Sequence, residues 1–146
     1  MPIPSINIEW FGPEEFVNIE GMHVPFLRAL DDLRAYIGYG IWVHESNPMK
    51  SAAHEPDSAH WEGRAIDGSC KHMPLWNFFL AASRFPSFTG IGVYPYWNNP
   101  GLHLEMRDGV LRRKYWWRDQ DGKYGAITAL NLQDVFIKPF ETSSYT

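Results

Sequence analysis

The stretch Ser58-Ala59-His60-Trp61-Glu62-Gly63-Arg64-Ala65-Ile66-Asp67 sets a histidine and an aspartate seven residues apart, with a glycine and an alanine between them. Taken singly, each acidic or imidazole side chain has an ordinary use. A buried histidine can be a hydrogen-bonded core residue, and an aspartate can cap a turn or a helix. Taken together they have the character of two metal ligands. A catalytic zinc takes three protein ligands from His, Asp, Glu or Cys and leaves one position open. Gly63 and Ala65 are small where the chain must turn sharply beside an ion. A third ligand has to come from elsewhere, and His103 is the best placed. It falls in Leu102-His103-Leu104-Glu105, whose alternation reads as a strand with His103 and Glu105 on one face and the leucines on the other. That face offers a ligand and a carboxylate, whose plainer reading is a solvated strand residue. The sequence holds six histidines, and His44, His54 and His72 remain rival ligands on spacing alone.

The flanking segments supply a frame for this constellation. Phe26, Leu27, Leu30, Leu33 and Ile37 recur at helical steps, which predicts a helix over 25–37 with Asp31, Asp32 and Arg34 on its polar side. Gly38 suits its end. Ile41-Trp42-Val43 reads as a short buried strand. Residues 44 to 59 read as a long irregular loop, a length that usually signals function or disorder. A second helix follows Pro74 and stops at Pro86. Ile91-Gly92-Val93-Tyr94 pairs with Leu102–Glu105 around the turn Trp97-Asn98-Asn99-Pro100-Gly101, and Tyr115-Trp116-Trp117 adds a strand or packs beneath the sheet. The opening dozen residues, with two prolines and a third at Pro13, run extended over the surface. The expected class is α+β, a small antiparallel sheet flanked by helices in one domain spanning 1–146.

Composition narrows the function. A length of 146 residues is enough for one sizeable core. A net charge of −4 gives no reason to expect nucleic acid, and Arg112-Arg113-Lys114 is too short a basic run to change that. The single cysteine, Cys70, excludes an intrachain disulfide and reads as a small buried residue. The start MPIPSINIEWFG lacks the basic and apolar regions of a secretory signal, and no apolar run approaches the roughly 18 residues of a membrane span. This fits a protein cytoplasmic on synthesis, including a phage product released at lysis. The aromatic fraction is 16%, with seven tryptophans, which points either to a ring-packed core or to a groove lined for sugars or peptides.

The run Ser58-x-His60-x-x-Gly63-x-Ala65-x-Asp67 resembles the first zinc-binding motif of the D-alanyl-D-alanine metallocarboxypeptidases, grouped with lysostaphin-type enzymes and the hedgehog domain in the LAS superfamily. Gly90-Ile91-Gly92-Val93-Tyr94-Pro95 is similar to the glycine-and-tyrosine strand before the final ligand in bacterial and phage members. Leu102-His103-Leu104-Glu105 resembles their HxD or HxH strand, and Arg112 to Trp117 their Arg/Trp-rich segment. The likeness covers roughly residues 22 to 118.

The resemblance implies a hedgehog-like fold and a Zn2+ ion held by His60, Asp67 and His103. It also implies a peptidase acting on peptidoglycan stem or cross-link peptides, with Glu105 as general base. Lys50, Arg107, Trp61 and Tyr94 are the candidate substrate contacts, Lys50 or Arg107 steadying the oxyanion; Arg107 could equally pair with an acid below the sheet. Two departures stand out. Where relatives carry Ser-Gly-Tyr-Arg, this chain has Glu45-Ser46-Asn47-Pro48, so the substrate-holding arginine is missing. Glu105 stands where relatives more often have Asp or His, and the alternative acid position three residues before the last histidine is Pro100. These departures motivate an alternative, a non-catalytic zinc-binding module of the same fold such as a phage structural or interaction protein. A further reading makes the aromatic residues a sugar-binding module with a structural His/Asp pair.

Overall fold

The computed structural model describes residues 8–16, 19–45 and 58–141. Helix α1 spans Val24–Ile37 and ends at Gly38, whose φ of 79° is the left-handed conformation that glycine adopts without strain. The first strand, β1, is Trp42–Glu45. Beyond it the expected loop runs largely outside the described residues. The chain re-enters at Ser58, turns through Ala59–Glu62, and forms β2 over Ala65–Ser69, a strand that its mixed composition conceals. Helix α2, Leu75–Ser83, follows Pro74. Strands β3 (Gly90–Tyr94), β4 (Gly101–Glu105), β5 (Lys114–Arg118) and β6 (Tyr124–Ala126) complete the sheet, and α3 is Leu132–Phe136.

The coarse α+β class holds, but the sheet is larger than expected and mixed. Its six strands run β1-β2-β4-β3-β5-β6. All neighbours are antiparallel except β3 and β5, which are parallel with Gly90 beside Lys114 and Gly92 beside Trp116. The cause is an anchor just ahead of β5. The Arg113 guanidinium donates to three carbonyls at the end of α2 and the start of β3: Phe88 at 2.6 Å, Ser83 at 2.7 Å, and Phe85. Pinned there, the chain enters β5 at the same end as β3, and the Lys114 N–H reaches the Thr89 carbonyl. Alternation of side chains carries no strand direction, so this return was invisible to it. The same contacts remove Arg113 from the short basic run.

The two faces of the sheet divide the labour. Ile66, Ile91, Val93, Leu102 and Leu104 are fully buried on one face, where they meet Phe26, Leu30 and Leu33 of α1 and Phe78 and Ala82 of α2. Burying each such side chain is worth roughly 1.5–3 kcal/mol before entropy is counted. Phe136 of α3 packs on Trp76 and Phe79. Two expectations need correction. Asp31 is buried rather than on a polar face, because its carboxylate accepts the backbone N–H groups of Glu9 and Trp10. The described part of the opening segment is correspondingly not a surface strand, since Ile8 and Phe11 join the core. Cys70 is buried as expected. Among the described residues no helix is long and apolar enough to cross a membrane.

The Arg113 anchor yields a direct test. Arg113→Ala leaves several carbonyls without their charged donor, and urea unfolding should record a loss of about 2–4 kcal/mol. Arg113→Lys should recover little of it, because an ammonium cannot serve the fork of acceptors that a guanidinium spans.

Candidate metal centre

Three side chains converge on the other face of the sheet. The Ser58 hydroxyl accepts the His60 N–H at 3.2 Å and starts the short turn that carries His60. Gly63 ends that turn at a φ of 67°, with its N–H on the His60 carbonyl. A Cβ there would lie 2.2 Å from the Gly21 carbonyl oxygen, so glycine is required for backbone approach as well as for the turn. The chain then doubles into β2, which brings Asp67 back to His60. Pairing of β2 with β4 sets Asp67 directly opposite His103. Cross-strand neighbours on one face have Cβ atoms about 5 Å apart, so the meeting follows from the register.

The resulting distances are short. His60 Nε2 lies 3.4 Å and His103 Nδ1 3.0 Å from the same oxygen, Asp67 Oδ1, and one ligand atom from each residue lies within 4.8 Å of the others. Zinc bonds of about 2.0–2.2 Å in a tetrahedron require ligand-to-ligand edges of about 3.3 Å. The donor set and its spacing therefore fit a divalent cation. His60 and His103 are buried, and their rings meet nearly edge to face.

Glu105 occupies a position one step outward. Its Oε1 accepts from His103 Nε2 at 2.7 Å, and its Oε2 accepts from Arg107 Nε at 2.7 Å. Both oxygens are thus engaged, and the expected base also holds the imidazole in place, the arrangement common behind metal-bound histidines. Arg107 pairs with Glu105 on the face of the cluster, rather than with an acid below the sheet. The electrostatics follow from this chain of contacts. Burial works against ionisation of all three groups, but their mutual hydrogen bonds outweigh it. Asp67 is held well below the carboxylate range by His103 and His60. Glu105 is lowered to about 2 by His103 and Arg107. His103, between two carboxylates, is pushed up to about 9.

Glycines make room for these neighbours. A Cβ at Gly90 would lie 2.7 Å from Cγ of Glu105, and one at Gly92 would lie 2.5 Å from the Trp116 indole. Trp116 consequently lies across β3, with its ring 5.4 Å from that of His103 and its Nε1–H donated to the Tyr94 hydroxyl at 3.1 Å. Tyr94 is nearly buried and stacks on Trp97 at 4.1 Å. It adjoins the centre through Trp116 rather than standing at its mouth. Sequence reasoning passed over Trp116 as a site residue; two glycines spaced on one strand face were its signal.

The remaining candidates are dispersed. Lys50 and His54 lie outside the described residues, as does the side chain of Trp61. His72 stacks on Tyr39 and is no ligand of the cluster. His44 also stays out of the ligand group, but its Nε2 is 2.6 Å from the Ser69 hydroxyl, and its ring packs between Trp42 and Trp97. Burial lowers its pKa, partly offset by the charge of Asp67. No protein-family model matches the chain, and neither does any curated protein or solved structure.

Two outcomes follow from the His103 contacts. Cation binding requires a neutral imidazole, so zinc titrated into metal-free protein at pH 7.5 should release about one proton. Calorimetry in buffers of different ionisation enthalpy would count it, and no release would show that zinc displaces no imidazolium proton. Without metal, the His103 contribution to stability is complete below its ordinary value of 6.5 and is lost as pH rises through about 9. The Glu105 contribution is complete above 4.5 and is lost as pH falls towards about 2. The melting temperature of the chelator-treated protein should therefore peak between about pH 4.5 and 6.5.

Proposed function

We propose that this chain is a zinc-dependent peptidase acting on peptidoglycan peptides, which carry D-amino acids. The observation that carries the reading is the His60–Asp67–His103 cluster, with ligand-atom spacings near those of a tetrahedral zinc site. The motif resemblance over roughly residues 22 to 118 supplies the substrate class, which geometry alone does not select. Zinc held there would supply Lewis acidity, polarising a carbonyl and acidifying water towards a pKa of about 7.

The chain's own residues divide the remaining work. Asp67 and Glu105 keep negative charge around His103 and fix its ring, Nδ1 towards the cluster and Nε2 towards Glu105. His103, and after it Arg107, keep Glu105 anionic against the effect of burial. Turned from His103 Nε2 towards the open side of the cluster, that anionic carboxylate could take a proton from attacking water and return it to the leaving amine. The indole of Trp116 and the ring of Tyr94 cover the neighbouring strand and limit access of bulk water.

A second reading is a zinc-binding module without turnover. It is favoured by the full engagement of both Glu105 oxygens and by the absence of the arginine expected after β1.

Digestion of purified muropeptides, followed by mass spectrometry, tests the peptidase. With zinc present, cleavage of a stem or cross-link peptide bond is expected, and His60→Ala or chelation should reduce it by at least about 10³-fold. Cleavage untouched by His60→Ala would overturn the assignment, and stoichiometric zinc without any cleavage would favour the second reading. Glu105→Gln separates the two roles of that residue. Loss of a base lowers kcat at unchanged zinc affinity, by about 10²–10⁴-fold, whereas loss of an orienting partner weakens zinc binding about 10–100-fold.

A further inference from the structure

Beside the metal centre lies a second concavity, of about 310 Å³, lined by Tyr94, Tyr96, Trp97 and the segment from Arg118 to Gly122. Its volume is at the small end of ligand pockets, which run from roughly 300 to 1,000 Å³, so it suits one ring rather than an extended chain. One wall is aromatic: Trp97 lies on Tyr94 with the rings 12° from parallel, and Tyr96 is 42% exposed beside them. Tyr124, 62% exposed, meets Tyr94 edge-on. Large rings left at a surface usually mark a place where something covers them.

The rest of the lining is polar and includes planar groups. The Asp119 carboxylate is committed to the N–H groups of Asp121 and Lys123, both at 2.9 Å, which rigidifies the turn. That leaves the exposed Gln120 amide and Asp121 carboxylate on a fixed backbone, with no side-chain partner among the described residues. Arg118 adds its guanidinium, with Nε on the Gly122 carbonyl. A flat apolar platform facing planar donors and acceptors matches one ligand chemistry closely. A pyranose has C–H faces that lie on aromatic rings and equatorial hydroxyls that pair with carboxylate, amide and guanidinium edges. An aliphatic or aromatic side chain would leave the polar wall unpaired.

We propose that this pocket is a saccharide subsite that binds one N-acetylhexosamine ring of the glycan to which the substrate peptide is attached. The identity of the sugar rests on the peptidoglycan reading; the pocket's preference for a pyranose does not. Two contacts tie the pocket to the centre. Tyr94 hydrogen-bonds to Trp116, which packs on His103, and Trp97 packs on His44, which meets Ser69 on β2. A sugar held on Trp97 would therefore direct its pendant peptide along the face that carries Asp67 and His103.

The test is titration with N,N′,N″-triacetylchitotriose, which has no peptide, into protein with zinc and again after chelation, read by tryptophan indole NMR signals. Saturable shifts at the Trp97 indole are expected in both conditions. Asp121→Ala and Gln120→Ala, on an exposed turn, should weaken binding at least about 5-fold each, and Trp97→Ala at least about 10-fold. Absence of saturable shifts at millimolar sugar, or affinities unchanged in the Asp121 and Gln120 variants, would overturn the subsite. The outcome separates from that of the peptidase. Sugar binding without muropeptide cleavage keeps the subsite and removes the enzyme. Cleavage with equal kcat/KM for glycan-bearing and free peptides keeps the enzyme and removes the subsite.

Discussion

The antiparallel register that sets Asp67 opposite His103 is the constraint on which the rest of the site depends. One carboxylate oxygen lies within 3.4 Å of an imidazole on either side; paired strands hold the distance to His103, and the short turn Ala59–Glu62 holds the one to His60. His60 reaches the same oxygen because the turn at Gly63 is too tight for any side chain. A strand pair and a glycine thus bring three sequence-distant groups together. Sites built on strands in this way are more precise than sites built on loops.

A sheet with one greasy face and one sparsely furnished face follows from the same logic. Ile66, Ile91, Val93, Leu102 and Leu104 of β2, β3 and β4 are sent towards α1 and α2. The reverse side carries glycine at positions 90, 92 and 101, so polar and aromatic groups from neighbouring strands can lie flat across the backbone. Trp116, Glu105 and Ser69 occupy that space. The Ser69 hydroxyl is also within 2.9 Å of the Asn99 and Pro100 carbonyls, which joins β2 to the turn bearing Trp97. The metal cluster and the aromatic pocket are in consequence parts of one continuous surface.

Much of this was legible in the residues. The 3.6-residue period of Phe26 to Ile37, the glycine that stops it, and the alternation of Leu102 to Glu105 each have a single physical meaning, and each is realised. The convergence of His60, Asp67 and His103 was legible as a spacing. What escaped was whatever depends on partners distant in sequence. Strand β2 has serine, glycine and aspartate among five residues, and only its two paired neighbours make it a strand. The parallel course of β5 depends on carbonyls that Arg113 finds some 25 to 30 residues back. Asp31 reads as solvent-facing until the backbone it caps is known, and the double engagement of Glu105 requires knowing where Arg107 turns.

The position of His103 between two acids carries one more implication. An imidazolium there neutralises the surrounding carboxylates much as a divalent cation would. The apoprotein is then spared the mutual repulsion that would otherwise splay its cradle.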